Sequence, residues 1–125
     1  LEDRGTGIPF GTSFTLHNLG NVAKVTGEEL QAASAAAGVT EFLRPEDGAW
    51  DGNNTSDFYF VTTERYDQVK DGKGSQIGRS RLYRLRFIDV NAPPLGGEID
   101  MLLDGTEAGN MFDNLTVDRF GHVLI

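Results

Sequence analysis

The sequence predicts an all-β fold with one short inserted helix, organised as a partial β-propeller of about one and a half four-stranded antiparallel blades. Three observations carry that expectation. From residue 42 onward, apolar residues recur mainly at the two-residue period of strands. The 16 glycines, grouped with Asn and Asp between short apolar runs, punctuate strands and turns rather than helices. Two segments also resemble each other: Pro45-Glu46-Asp47-Gly48-Ala49-Trp50-Asp51 and Phe112-Asp113-Asn114-Leu115-Thr116-Val117-Asp118. Each runs from acidic or amide oxygens through a short apolar stretch to an aspartate, then turns and enters another strand, which is the signature of a structural repeat.

Residues 1–41 read as a loop-rich entry segment, broken by Gly5, Gly7, Pro9, Gly11 and Gly20, with one short strand expected over 13–17. A helix is expected over 27–37. Thr26 with Glu29 three residues on forms a capping box, Val25 and Leu30 occupy the staple positions, alanines dominate 32–37, and Gly38 ends the helix. An alanine face can lie close to a sheet but buries little area, so the helix is expected as an insertion.

Residues 42–125 are expected to form the blade and the first half of the next, as part of one larger domain. The strands fall at 47–51, at 58–63, at 82–87, where Tyr83, Leu85 and Phe87 alternate with Arg84 and Arg86, and at 98–104, where Ile99, Met101 and Leu103 alternate with Asp100 and Leu102. Asn91-Ala92-Pro93-Pro94 and Gly96-Gly97 separate the last two. Four successive antiparallel strands make one blade. The second copy of the motif opens the next, with strands at 115–118 and 122–125 around Arg119-Phe120-Gly121. Glu46 and Asp113 lie 67 positions apart, long for a blade, and a polar loop over 66–79 accounts for the excess. A closed propeller needs four or more blades, so the rest of the ring is expected from further sequence or from other chains. The start at Leu1 and the strand-like end Val123-Leu124-Ile125 fit a segment of a longer polypeptide.

The 125 residues, 38% of them hydrophobic, suffice for one ordered core. A net charge of −8 argues against nucleic acid or an anionic membrane as the main partner and suits cations. No apolar run approaches the roughly 20 residues that span a bilayer. With no cysteine, disulfide and thiolate-metal chemistry are absent from these residues.

In a propeller the first strand of each blade lines the central channel, so Glu46, Asp47, Asp113 and Asn114 fall at equivalent strand starts where oxygens can converge on a hard cation. Pro45 fixes its own φ and Gly48 allows close backbone approach behind the Glu46 carboxylate, while Asp113 and Asn114 add oxygens from the neighbouring blade. Calcium accepts six to eight oxygens with little geometric demand. The plainer alternative pairs Glu46 with Arg44 or another arginine and leaves Asp113 and Asn114 to start a turn. Arg79, Arg81, Arg84 and Arg86 form the one basic concentration; guanidinium groups match phosphate oxygens, and Arg79 and Arg81 are the candidates for a phosphorylated substrate. Arg84 and Arg86 are expected instead on a solvated strand face, paired with Asp100 or Glu98. His17 and His122 lack metal-ligand spacing, no G-x-S-x-G motif is present, and Trp50, Phe58 and Phe60 are expected in the core.

The tracts Phe42-Leu43-Arg44-Pro45-Glu46-Asp47-Gly48-Ala49-Trp50-Asp51, Asp57-Phe58-Tyr59-Phe60-Val61-Thr62-Thr63, Gly78-Arg79-Ser80-Arg81-Leu82-Tyr83-Arg84-Leu85, Met101-Leu102-Leu103-Asp104-Gly105 and Phe112 to Asp118 resemble the PhoX-type alkaline phosphatase family of bacteria over roughly residues 40–125. The resemblance implies an exported β-propeller that binds calcium, with a catalytic iron–calcium cluster in its phosphatase members, and hydrolyses phosphomonoesters. The glutamate of the family's Arg-Pro-Glu element is a metal ligand, and it falls at Glu46. The cysteine of the family's iron site has no counterpart here. The Asp-Asn-Leu-Thr-Val-Asp element is shared with calcium-dependent lactonase propellers. A lactonase- or esterase-like propeller and a non-catalytic, calcium-stabilised structural or binding module are therefore the alternatives.

Overall fold

A computed structural model describes residues 8–63, 80–107, 109 and 111–125. The chain runs through β1 (Thr12–Phe14), α1 (Gly27–Ala36), β2 (Pro45–Trp50), β3 (Asp57–Thr62), β4 (Arg81–Phe87), a 3-10 turn (Pro93–Leu95), β5 (Gly97–Leu103), β6 (Thr116–Val117) and β7 (Val123–Leu124). The fold is thus mostly β with one helix. The expected loop over 66–79 lies outside the described residues.

Strands β2 to β5 form an antiparallel meander in chain order, and β1 adds a fifth strand beside β5. Each expected strand of the meander is present, displaced by no more than two residues at either end. The edge pairing of β1 was not legible in its three-residue pattern. It depends on a close approach that glycine permits: a Cβ on Gly96 would stand 1.9 Å from the Phe14 carbonyl oxygen; on the other side of β5, one on Gly97 would stand 1.9 Å from the Arg86 carbonyl oxygen of β4. Strands β6 and β7 form a separate hairpin packed beside β2.

The helix starts as its sequence requires. Glu29 N–H donates to Thr26 Oγ1 and Thr26 N–H donates to Glu29 Oε2 at 2.9 Å, which satisfies two otherwise orphaned donors. No residue of the helix is buried, in keeping with its alanine composition. Among the described residues no helix is long and apolar enough to cross a membrane.

Strand alternation gives the large sheet two unlike faces. One carries Tyr59, Val61 and Leu82, which with Leu115 make a buried apolar cluster flanked by Ala49, Leu102, Phe112, Val117 and Val123. Towards the other end of this face the apolar residues give way to charge. Arg86 donates to both Asp57 oxygens at 2.8 Å, and Arg84 donates to Asp100, whose second oxygen accepts the Gly11 N–H. Asp57 and Asp100 are buried, so full pairing is what makes their burial tolerable. The Asp57 hydrogen bonds and charge hold the Arg86 pKa above its ordinary value. Arg84 pairs with Asp100 as expected; Arg86 takes Asp57 rather than Glu98 because β3, not β5, supplies a buried carboxylate opposite it.

The opposite face is aromatic. Phe60 stacks on Tyr83, Phe42 packs edge-on against both, and Trp50 leans on Phe58 and Phe87. Trp50 departs from its expected place in the core: it is 52% exposed, because Phe42 covers the Phe60 end of this face and leaves the Trp50 end open.

Candidate functional site

The strand starts are held by backbone geometry as much as by side chains. Arg44 adopts a left-handed φ of 54°, a strained conformation for a residue with a Cβ, and its carbonyl accepts the Thr63 N–H. Between Pro45, paired with Thr62, and Gly48, paired with Phe60, β2 carries one extra residue. Glu46 and Asp47 occupy this bulge, a device that re-aims side chains.

The two acids diverge there. Glu46 Oε1 accepts from Arg44 at 2.9 Å in a partly exposed ion pair, the plainer of the two arrangements anticipated for it. Asp47 turns towards the neighbouring hairpin: its Oδ2 accepts the Leu115 N–H at 2.9 Å and its Oδ1 accepts the Gly48 N–H at 2.8 Å. The Leu115 bond first, then the Gly48 bond, hold its carboxyl below the ordinary pKa.

A second set of bonds joins the same region. Thr63 Oγ1 donates to the Phe112 carbonyl at 2.5 Å, Ser80 Oγ donates to the Thr63 carbonyl at 3.1 Å, and the Phe112 N–H donates to Ser80 Oγ at 3.1 Å. Thr63 therefore connects Arg44, two residues before Glu46, with Phe112, one residue before Asp113. Asp113 and Asn114 are exposed. The chain thus links the two expected strand starts through Thr63 and through Asp47. Among the described residues no three His, Cys, Asp or Glu side chains gather closely enough to hold a metal ion. The donors available at the strand starts, carboxylates and an amide oxygen, match calcium in kind.

Of the two arginines suggested for a phosphorylated substrate, Arg79 lies outside the described residues. Arg81 is 1% exposed, beginning β4 opposite Thr62. A cleft of ≈ 600 Å³ between α1 and Pro45, beside Glu46 in sequence, includes Glu41 in its lining and no basic side chain. Phosphate recognition has no cation to use there.

The repeat itself is structural at its distal end. Asp51 N–H donates to the Asp57 carbonyl and Asp118 N–H to that of His122, each closing a hairpin turn. Asp51 Oδ1 accepts the Asn53 N–H, and Asp118 Oδ1 accepts the N–H groups of Phe120 and His122. The His122 backbone bond is the main cause of a lowered Asp118 pKa. The two turns also touch, Asn53 Nδ2 donating to the Arg119 carbonyl at 2.9 Å. Sequence reasoning placed Asp47 among the cation-binding oxygens and missed its bond to Leu115, and it missed the roles of Thr63 and Ser80. The repeat pattern contained a signal for Asp47, since it shares a repeat position with Asn114; Thr63 and Ser80 lie outside the motif and carried none.

Set against known proteins, the chain matches no protein-family model, no curated protein and no solved structure.

Proposed function

We propose that the chain supplies about one and a half blades of a calcium-binding β-propeller that hydrolyses phosphate monoesters. The observation that supports this most is the succession of a four-strand meander and a hairpin repeating the β2–β3 turn, with the two strand starts tied together through Asp47 and Thr63. The resemblance of the Arg44-Pro45-Glu46 tract to PhoX-type phosphatases supplies the chemistry, and export belongs to the same proposal. Glu46, Asp113 and Asn114 would hold calcium, with further oxygens from the rest of the ring. Bound calcium would neutralise charge on the phosphoryl oxygens and so lower the barrier to attack of water on phosphorus with departure of the ester alcohol. In this reading Glu46 exchanges its Arg44 partner for the cation and moves no proton, while Asp47 keeps the adjacent strand starts in place.

The test is a calcium titration followed by thermal melting, alongside hydrolysis of a chromogenic phosphomonoester by the polypeptide that contains this segment. Expected are calcium-dependent melting, hydrolysis abolished by chelator, and loss of both in Glu46→Gln. Metal-independent hydrolysis, or none, refutes the enzymatic reading. A second reading, a calcium-stabilised structural module without catalysis, is favoured by Asp47, whose two oxygens are occupied by backbone N–H groups. Calcium-dependent melting without hydrolysis selects it.

A further inference from the structure

Among the described residues, two that are not glycine have left-handed backbone: Arg44 at a φ of 54° and Met111 at a φ of 61°. They stand as far apart in sequence as Glu46 and Asp113, so each lies two residues before the acid that opens its copy of the motif. The conformation is costly for any residue with a Cβ. It is more so for Arg44, because a residue that precedes proline is driven towards extended backbone. Strain that recurs at the same place in both copies belongs to the repeat, and it persists because the surrounding structure holds it. The Met111 side chain is largely exposed, so what this position contributes is a turn of the backbone rather than a packed side chain.

One residue holds both turns. Thr63 N–H donates to the Arg44 carbonyl, and Thr63 Oγ1 donates to the carbonyl of Phe112, the residue after Met111. Ser80 Oγ closes the arrangement, donating to the Thr63 carbonyl and accepting the Phe112 N–H. Thr63 and Ser80 are buried, so water does not compete for these bonds. We propose that Thr63 is a positioning residue for calcium: it keeps both left-handed turns in place and thereby fixes Glu46 relative to Asp113 and Asn114. Its role towards calcium rests on the proposed function above, whereas the strain it holds is measurable without the metal.

The experiment is a double-mutant cycle of Thr63→Val with Met111→Gly in the polypeptide that contains this segment, read by urea unfolding in chelator and by calorimetric calcium titration. Thr63→Val keeps the side-chain shape and removes the hydroxyl. In chelator, with Thr63 present, Met111→Gly should raise the folding constant about threefold, since relief of strain exceeds the freedom glycine adds to the unfolded chain. In the Thr63→Val background the turn has already relaxed, and the same change should gain nothing. Thr63→Val should weaken calcium binding by about tenfold or more, the loss typical when a group that orients metal ligands is removed. Thr63→Ser, which keeps the hydroxyl, should bind far more tightly than Thr63→Val. Adding Met111→Gly to Thr63→Val makes the left-handed turn accessible again and should recover part of the affinity. Equal gains from Met111→Gly in both backgrounds overturn the proposal. Unchanged calcium affinity in Thr63→Val overturns it too, and leaves the calcium reading standing. Absence of calcium binding by the parent refutes the calcium reading and the positioning role with it.

Discussion

Replacing Leu115 by alanine tests whether the hairpin is held to the sheet by the apolar cluster. Leu115 is 6% exposed and joins Tyr59, Val61 and Leu82 in the buried cluster. Truncation to alanine removes three carbon atoms, about 2.4 kcal/mol of transfer free energy at roughly 0.8 kcal/mol each. A cavity contribution adds to this, but half-buried Phe112, Val117 and Val123 line the site and can close inward. The expected cost is therefore about 3 kcal/mol, in the lower half of the range for buried Leu→Ala changes. An isolated two-stranded hairpin is marginal in water, so the loss should appear first as local opening of β6–β7. Native-state hydrogen exchange should show the Asp118 amide, bonded to the His122 carbonyl, losing protection by about 100-fold while the Tyr83 amide in the central strand retains more of its own. Leu115→Met, which conserves volume, should cost less than about 1.5 kcal/mol in urea unfolding. A cost below about 1 kcal/mol for Leu115→Ala, or equal loss of protection at Asp118 and Tyr83, would refute the reasoning.

Gly97→Ala should destabilise the fold by about 3 kcal/mol or more, since the new Cβ would meet the Arg86 carbonyl oxygen at 1.9 Å, whereas Gly52→Ala, with nothing within 4 Å, should change urea midpoints little. Asp47 has a folded-state pKa below its unfolded value, so its stabilisation is complete above the unfolded pKa and disappears as pH falls through the folded one. Asp47→Asn should therefore be less stable than the parent at neutral pH, with the gap in urea midpoint closing as pH falls from about 5 towards 2; a gap independent of pH would contradict the assignment.

The meander was legible because β3, β4 and β5 repeat with the period of strands and because Pro, Gly and Asn separate them. The helix was legible in Thr26 and Glu29, whose capping bonds are local. What escaped the sequence depends on long-range pairing. Nothing in Thr12-Ser13-Phe14 indicates that it will lie beside Gly97, and no local pattern joins Ser80 to Phe112. The strand starts fall between these cases. Their repetition was visible in Glu46-Asp47 and Asp113-Asn114, but the bulge that sends Glu46 to Arg44 and Asp47 to Leu115 is a property of the β2–β3 register. The loss of the expected core role for Trp50 likewise follows from where Phe42 lands, which no strand periodicity specifies.

The edges of the five-stranded sheet have a consequence for how the chain behaves when crowded. On one side the outermost strand, β1, offers only three residues as a template; on the other, β2 opens with a proline that has no N–H and continues through a bulge. Fibrils grow by adding strands along the hydrogen-bonding direction, and short, bulged or proline-bearing edges oppose that growth. Concentrating this chain should therefore disfavour templated strand addition at either edge of the sheet, and with it amyloid.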